Sequence, residues 1–588
     1  MRSIRFASLL LAAPLMAQTA TPDHAWIAKS DAYTAKIIAV DMKYSPEGAS
    51  AEGLSQYDEK ISVPTVENMM AERHEDEAVV AGFETALKTE PDENVREDLQ
   101  ILIDAEKLGF RQMDYSLAHQ VPFSNATSAV YGGLQTLLDD QMPQERRVKA
   151  VIRLKEYAGL INGYKPFSEI LIDRTKAQMA KPGVTYPSKS QIETQLKRNA
   201  AIVDGIAALF TKYKITGWED SFAVLKKQLA DYDTFETTQV LPKARMDFRL
   251  PPEEYALNFA AYGIDIPPAQ ISEMAHKAFI DYQAQMQPLA AEIAKEHGWK
   301  STDYRDVVRE LKKQQITGEA ILPFYKNRLH EIEKIIVAQK LVTLPDRPAI
   351  IRLGTPAESA QQPAPHMVPP PFLNNTGQRG VFVLPLTMPA GAGEASAAKV
   401  DDYTFDAASW TLIAHEARPG HELQFDSMVE HGVSKARALY AFNSTNAEGW
   451  GLYAEYITLP YMPKEGQLIS LQFRLLRAAR AFLDPGLQAG TVTREEAMKV
   501  LTQDVCMSVP FANQEVERYT FRSPGQANSY FYGFTRILAL RKEAEAKLGP
   551  KFNQLRFHDF ILAQGLLPPG LMQKAVEEHF IPEELAKK

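Results

Sequence analysis

From Asp23 to about Lys340, apolar residues return every three or four positions, and Pro or Gly interrupts the pattern repeatedly. A helix needs that period to turn one stripe toward a core, so this part of the chain is constrained to stack as amphipathic helices. Residues 91–117 carry Leu99, Leu102, Ile103, Phe110 and Met113 on one face, and 149–161, 190–213, 274–297 and 304–311 repeat the theme. Pro251-Pro252 opens a further helix at its first turn, where the amide lost to proline has no partner to lose. Charged runs such as 309–313 read as solvated faces. A chain of 588 residues exceeds what one core usually serves. The expectation is a mainly α, two-lobed architecture whose first helical lobe spans 18–343.

The texture changes at Leu344. Residues 344–371 are rich in proline, ending in Pro369-Pro370-Pro371, which excludes regular helix. The runs 349–353 and 380–384 are β-branched or aromatic and bounded by turn residues, so 344–400 is expected to hold a small sheet. An edge strand there would either bind an extended substrate backbone by strand addition or merely cover the core. From Asp401 to the end the pattern is helical again, with helices expected at 465–483, 494–502 and 526–548, the last stopped by Gly549-Pro550.

The chemistry concentrates in this last segment, at T-L-I-A-H-E-A-R-P-G-H-E-L-Q-F-D, residues 411–426. Two histidines with a Glu beside the first are the means by which helical zinc hydrolases hold metal and activate water. His415 and His421 are six positions apart, which an unbroken helix would splay by about 120°. Pro419-Gly420 between them permits a bulge or kink that brings the imidazoles together. A third ligand is expected from N-A-E-G-W-G-L-Y-A-E, residues 446–455, with Glu448 favoured and Glu455 or Glu422 as alternatives. His415, His421 and Glu448 would then hold one Zn²⁺ per chain and leave a fourth position open, with Glu416 as general base. A bland reading, in which these are polar groups on a helix face, is weakened by the apolar lead-in, the Pro-Gly device and the glycines around Trp450.

H-E-A-R-P-G-H-E-L-Q, A-E-G-W-G-L-Y-A-E and E-V-E-R-Y…P-G-Q-A-N-S-Y-F-Y-G, with D-F-R-L-P-P-E-E-Y at 247–255 and L-R-A-A-R-A-F-L-D-P-G-L at 476–487, resemble the bacterial domain-of-unknown-function 885 family. That family is similar in turn to the helical zinc peptidases of the thimet oligopeptidase and angiotensin-converting enzyme group. The resemblance implies a metallopeptidase-like site acting on peptides or small amides. Related peptidases use a late His and Tyr about ten residues apart to stabilise the oxyanion; here Tyr519 and Tyr530 are similarly placed, with a Tyr in place of the His and Tyr530 favoured over a plain packing role, and Arg518 beside them as a substrate-binding group. Many family members carry His after the D-x-G-L run, where this chain has Gln488.

Formal net charge is −9, so the basic patch that nucleic acid or an anionic membrane demands is disfavoured. Residues 1–17 read as a secretory leader, with Arg2 and Arg5 before an apolar core too short to span a bilayer; cleavage is expected after Ala17, or after Ala20. A secreted or periplasmic location follows, with no stable membrane span once the leader is removed. Cys506 is the single cysteine, so no intramolecular disulfide can form, and its apolar surroundings suit burial rather than nucleophilic work. His558, among aromatic residues, is expected in the core. Beside the peptidase reading stand two others: a zinc hydrolase of non-peptide amides or esters, and an inactive exported peptide-binding protein.

Overall fold

A computed structural model describes residues 25–388, 398–399 and 401–587; the expected leader lies outside them. Three mutually packed helices lie at the start of the described chain: α1 (Ala25–Tyr44), α2 (Val66–Leu87) and α3 (Glu93–His119). Asp92 caps α3 by accepting from the amides of Asn94 and Val95, and Thr65 caps α2 through Asn68, each cap worth about 1 kcal/mol. Ile37, Val80, Phe83, Leu99 and Leu102 close the core between these helices. A second core forms around α4 (Lys189–Lys212), where Ile202, Ile206 and Phe210 meet Val130, Leu134 and Leu154.

The largest core surrounds the site and draws on both sides of the Pro-rich stretch. α5 (Pro268–His297) packs along its length against the long helix Lys464–Ala489. Between them in sequence come β1 (Ile350–Leu353), β2 (His366–Val368) and β3 (Val381–Leu384), in the order β1-β3-β2, with β1 parallel and β2 antiparallel to the buried central strand. Then follow α6 (Asp406–Glu416), α7 (His421–His431), α8 (Ser444–Thr458), α9 (Lys464–Ala489), α10 (Val509–Glu517) and α11 (Asn528–Leu548). The molecule is thus mainly α with a small sheet.

α9 departs from the amphipathic rule. From Leu468 to Gln488 it is buried almost all round, because α5, α6 and α11 each cover one of its sides. A helix in that position must accommodate its polar residues by pairing them, and α9 carries Arg474, Arg477, Arg480 and Asp484.

Two expectations for the Pro-rich stretch need correction. A short helix, Pro356–Gln361, does form there: Thr355 and Glu358 make a reciprocal capping box, and Pro356 occupies the first turn, where proline is tolerated. The strand β2 was not expected, since H-M-V between prolines is too short to show an alternating pattern. The strands expected at 349–353 and 380–384 are present within one residue.

Candidate metal centre

α6 is buried from Ala407 through Glu416 and delivers His415 and Glu416 at its last turn. The expected bulge is instead a full stop: the helix ends at Glu416, and α7 restarts at His421. Gly420 makes the restart possible. A Cβ there would lie 1.8 Å from the His415 carbonyl oxygen and 2.4 Å from that of Ala414, so only glycine lets the chain fold back on the turn it has just left. The Trp450 indole N–H donates to the Pro419 carbonyl at 2.9 Å and pins the connection. Arg418 is held by Glu422 (2.6 and 3.0 Å) and by Glu333 (3.0 Å). Glu422 is therefore committed to that guanidinium.

The glycines of A-E-G-W-G have separate reasons. α8 crosses α11 at Gly449 and Gly533 so closely that a Cβ on Gly533 would sit 1.9 Å from the Thr445 carbonyl oxygen. A Cβ on Gly451 would come within 2.7 Å of the His415 ring. The first pair lets α8 approach, and the second leaves room for the imidazole. Asn443 caps α8 through the Asn446 amide, and Glu448 is carried one turn in.

The result brings His415, His421 and Glu448 together, with one ligand atom from each within 4.8 Å of the others. Glu448 Oε2 lies 3.4 Å from His415 Nε2 and 3.3 Å from His421 Nε2. Bonds of about 2.0–2.1 Å to a tetrahedral cation would separate ligand atoms by about 3.3–3.4 Å. Glu448 Oε2 is sealed from solvent and has no hydrogen-bond partner. The electrostatics also ask for positive charge here. Burial opposes ionisation at Glu448, yet the two imidazoles hold its carboxyl well below the usual range. Burial likewise opposes a charged His415, but the Glu448 and Glu455 carboxylates outweigh it and push the imidazole up to about 9. The residues fit a zinc ion by donor type, spacing and charge.

Glu455 is oriented by the opposite edge of His415. Its Oε1 meets Nδ1 at 2.8 Å, while Oε2 accepts from Thr411 Oγ1 at 2.6 Å. That contact orients the ring and leaves Nε2 as the nitrogen that would meet a metal.

A cavity of about 390 Å³ opens on the cluster, walled by His415, Glu416, His421, Glu448, Tyr530 and the arginines of α9 and of the turn after α10. Glu416 is buried, and desolvation raises its carboxyl pKa against the pull of the two histidines. Arg518 Nη2 donates to the Tyr530 hydroxyl at 3.1 Å. Tyr519 is not brought to this cavity: it is fully buried and its hydroxyl donates to Glu515 at 2.7 Å. Glu515 also takes both arms of Arg480 at 2.7 Å each. Arg477 and Arg480 belong to the wall and were not singled out from sequence, although arginines three apart in an apolar helix are themselves a signal. Gln488 bridges instead of reaching the cluster, accepting from the Leu250 amide at 2.8 Å and donating to the Tyr519 carbonyl at 2.7 Å. Cys506 is buried, and its thiol is pushed up to about 11 by burial.

A family model described as "Bacterial protein of unknown function (DUF885)" matches residues 46–576. Among curated proteins no sequence matches. Two solved structures share the fold. A presumed lipoprotein from Colwellia psychrerythraea is 19% identical with a TM-score of 0.74, covering 95% of this chain and 99% of that one. A presumed lipoprotein of unknown function from Shewanella oneidensis is 18% identical with a TM-score of 0.67, covering 93% and 99%. No helix among the described residues is long and apolar enough to cross a membrane.

Proposed function

This chain belongs to the DUF885 family of bacterial proteins, and from the geometry of its buried cluster we propose that it is an exported zinc-dependent hydrolase cleaving peptide bonds in oligopeptides. The observation that carries the reading is the pair of 3.3 and 3.4 Å separations between two imidazole nitrogens and one unpartnered carboxylate oxygen, at the floor of a cavity that also holds Glu416. When bound, zinc would supply a Lewis acid for the scissile carbonyl and lower the pKa of water toward about 7. Glu416, which is not one of the three ligands, accepts the proton of the attacking water and returns it to the leaving amine. The Tyr530 hydroxyl already accepts from Arg518, so its own proton is free to point at the oxyanion. Arg477 and Arg518 in the same wall add positive charge where negative charge develops.

An extended substrate has a natural seat. β2 is an edge strand, paired on one side with β3, and His366 and Met367 line the cavity. Its open edge offers backbone groups to a peptide laid beside it, the mode that favours a peptide over a small ester. The expected edge-strand role thus moves to β2.

The test is digestion of a peptide mixture by zinc-loaded protein, read by mass spectrometry, beside a panel of esters and non-peptide amides. New peptide termini that vanish with chelator and return with zinc are expected. Turnover confined to the ester and amide panel would establish the alternative hydrolase. No turnover of any substrate by zinc-replete protein would leave only a binding role.

A further inference from the structure

A second group of acids lies among the first three helices. Asp41 of α1 and Glu72 and Asp76 of α2 present carboxylate oxygens that all fall within 4.8 Å of one another. Glu72 and Asp76 are one turn apart on the same face of α2. Glu106 of α3 is close enough for Asp41, Asp76 and Glu72 all to act on its charge. Asp76 is only 6% exposed, and its Oδ1 is sealed from solvent without a hydrogen-bond partner. A buried, unsatisfied carboxylate oxygen is costly unless something positive meets it.

Among the described residues, the groups that act on these four carboxyls are one another, Glu75 and the Tyr440 hydroxyl, none of them basic. The geometry points to a binding site for a hard divalent cation of the calcium class, held by Asp41, Glu72 and Asp76 with Glu106 completing the charge. Two considerations choose that class. The donors are all carboxylate oxygens, with no imidazole or thiolate to favour zinc. Several carboxylates also offer the six to eight oxygens that calcium takes and that a small tetrahedral ion does not.

The cation would do structural work with a bearing on the cavity. It ties α1 to α2, and Asp41 accepts in addition from Tyr440. Tyr440 ends the turn Ala436–Tyr440, whose Ala438 and Leu439 line the candidate catalytic cavity. Occupancy therefore braces one rim of that cavity from behind.

Calorimetric titration of CaCl₂ into the full, zinc-saturated chain tests this, with Asp76→Asn and Glu72→Gln alongside. One Ca²⁺ per wild-type chain is expected, with at least tenfold weaker binding in either variant. Absence of calcium binding to wild type, or equal binding in both variants, would overturn the assignment. Melting curves guard against misfolding. In calcium-free buffer Asp76→Asn should melt at or above wild type, because a repelling charge is gone, and calcium should raise the melting temperature of wild type only. A wild-type melt indifferent to calcium, with Asp76→Asn melting lower, would show a protonated hydrogen-bonded cluster instead.

Discussion

In the proposed mechanism Glu416 and His415, neighbours in the chain, have opposite duties, and single substitutions can separate them. His415 is gripped from both edges, by Glu455 at Nδ1 and toward Glu448 at Nε2. Glu416 faces the cavity and is no member of the ligand set. Glu416→Gln keeps the shape and removes the base, so turnover should fall by about a hundredfold or more while zinc content and melting temperature stay near wild type. Loss of zinc from that variant would make Glu416 a ligand, and full activity would remove it from the mechanism. Gly451 allows a subtler probe. Alanine there favours helix by about 1 kcal/mol, but its Cβ would meet the His415 ring at 2.7 Å. Gly451→Ala should therefore lose about 1–3 kcal/mol to overpacking, offset in part by that helix gain, and bind zinc about ten- to a hundredfold more weakly, as melting curves and equilibrium dialysis would show. Undiminished affinity would mean that the ring has room to move.

At the scale of elements, the centre depends on where helices stop and how closely they cross. The α6–α7 break and the Gly449–Gly533 crossing bring His415, His421 and Glu448, spread over residues 415–448, around one point. A further tie is His558, which donates from Nδ1 to the Leu341 carbonyl at 2.6 Å and meets the Tyr453 hydroxyl of α8 at 2.8 Å. Burial lowers this imidazole to about 3 from 6.5. Below about pH 6.5 the unfolded chain takes a proton that the folded chain refuses until about pH 3. Stability is thus lost as pH falls through that window, by up to about 1.4 kcal/mol per pH unit. His558→Gln, which can both donate and accept, should flatten the acid limb of a denaturation profile; an unchanged slope would put the acid sensitivity elsewhere.

Across the whole molecule, what could be read in advance follows from range. Helices such as Glu93–His119 and Lys189–Lys212 declare themselves through local apolar period and capping residues, and the motif residues around His415 and Glu448 through their own spacing. Elements built by distant partners do not. β2 is a strand because β3 pairs with it, and α9 hides its arginines because three helices surround it. The choice between Tyr519 and Tyr530 was closed to sequence for the same reason. Between them the chain passes through a π-helical turn, Arg518–Arg522, and then a new helix start at Asn528, so spacing carries no information about direction. Only the packed structure shows Tyr519 turned to Glu515 and Tyr530 toward the cluster.

Elemental analysis of protein purified without chelator and reloaded with zinc tests most directly whether His415, His421 and Glu448 together hold one zinc ion. Wild type should carry one zinc per chain and Glu448→Ala almost none, since a removed ligand forfeits most of the affinity. Glu455→Ala should keep zinc at saturating metal, because loss of an orienting carboxylate costs only about ten- to a hundredfold. A wild-type chain without zinc after reloading, or zinc retained by Glu448→Ala and lost by Glu455→Ala, would contradict the account.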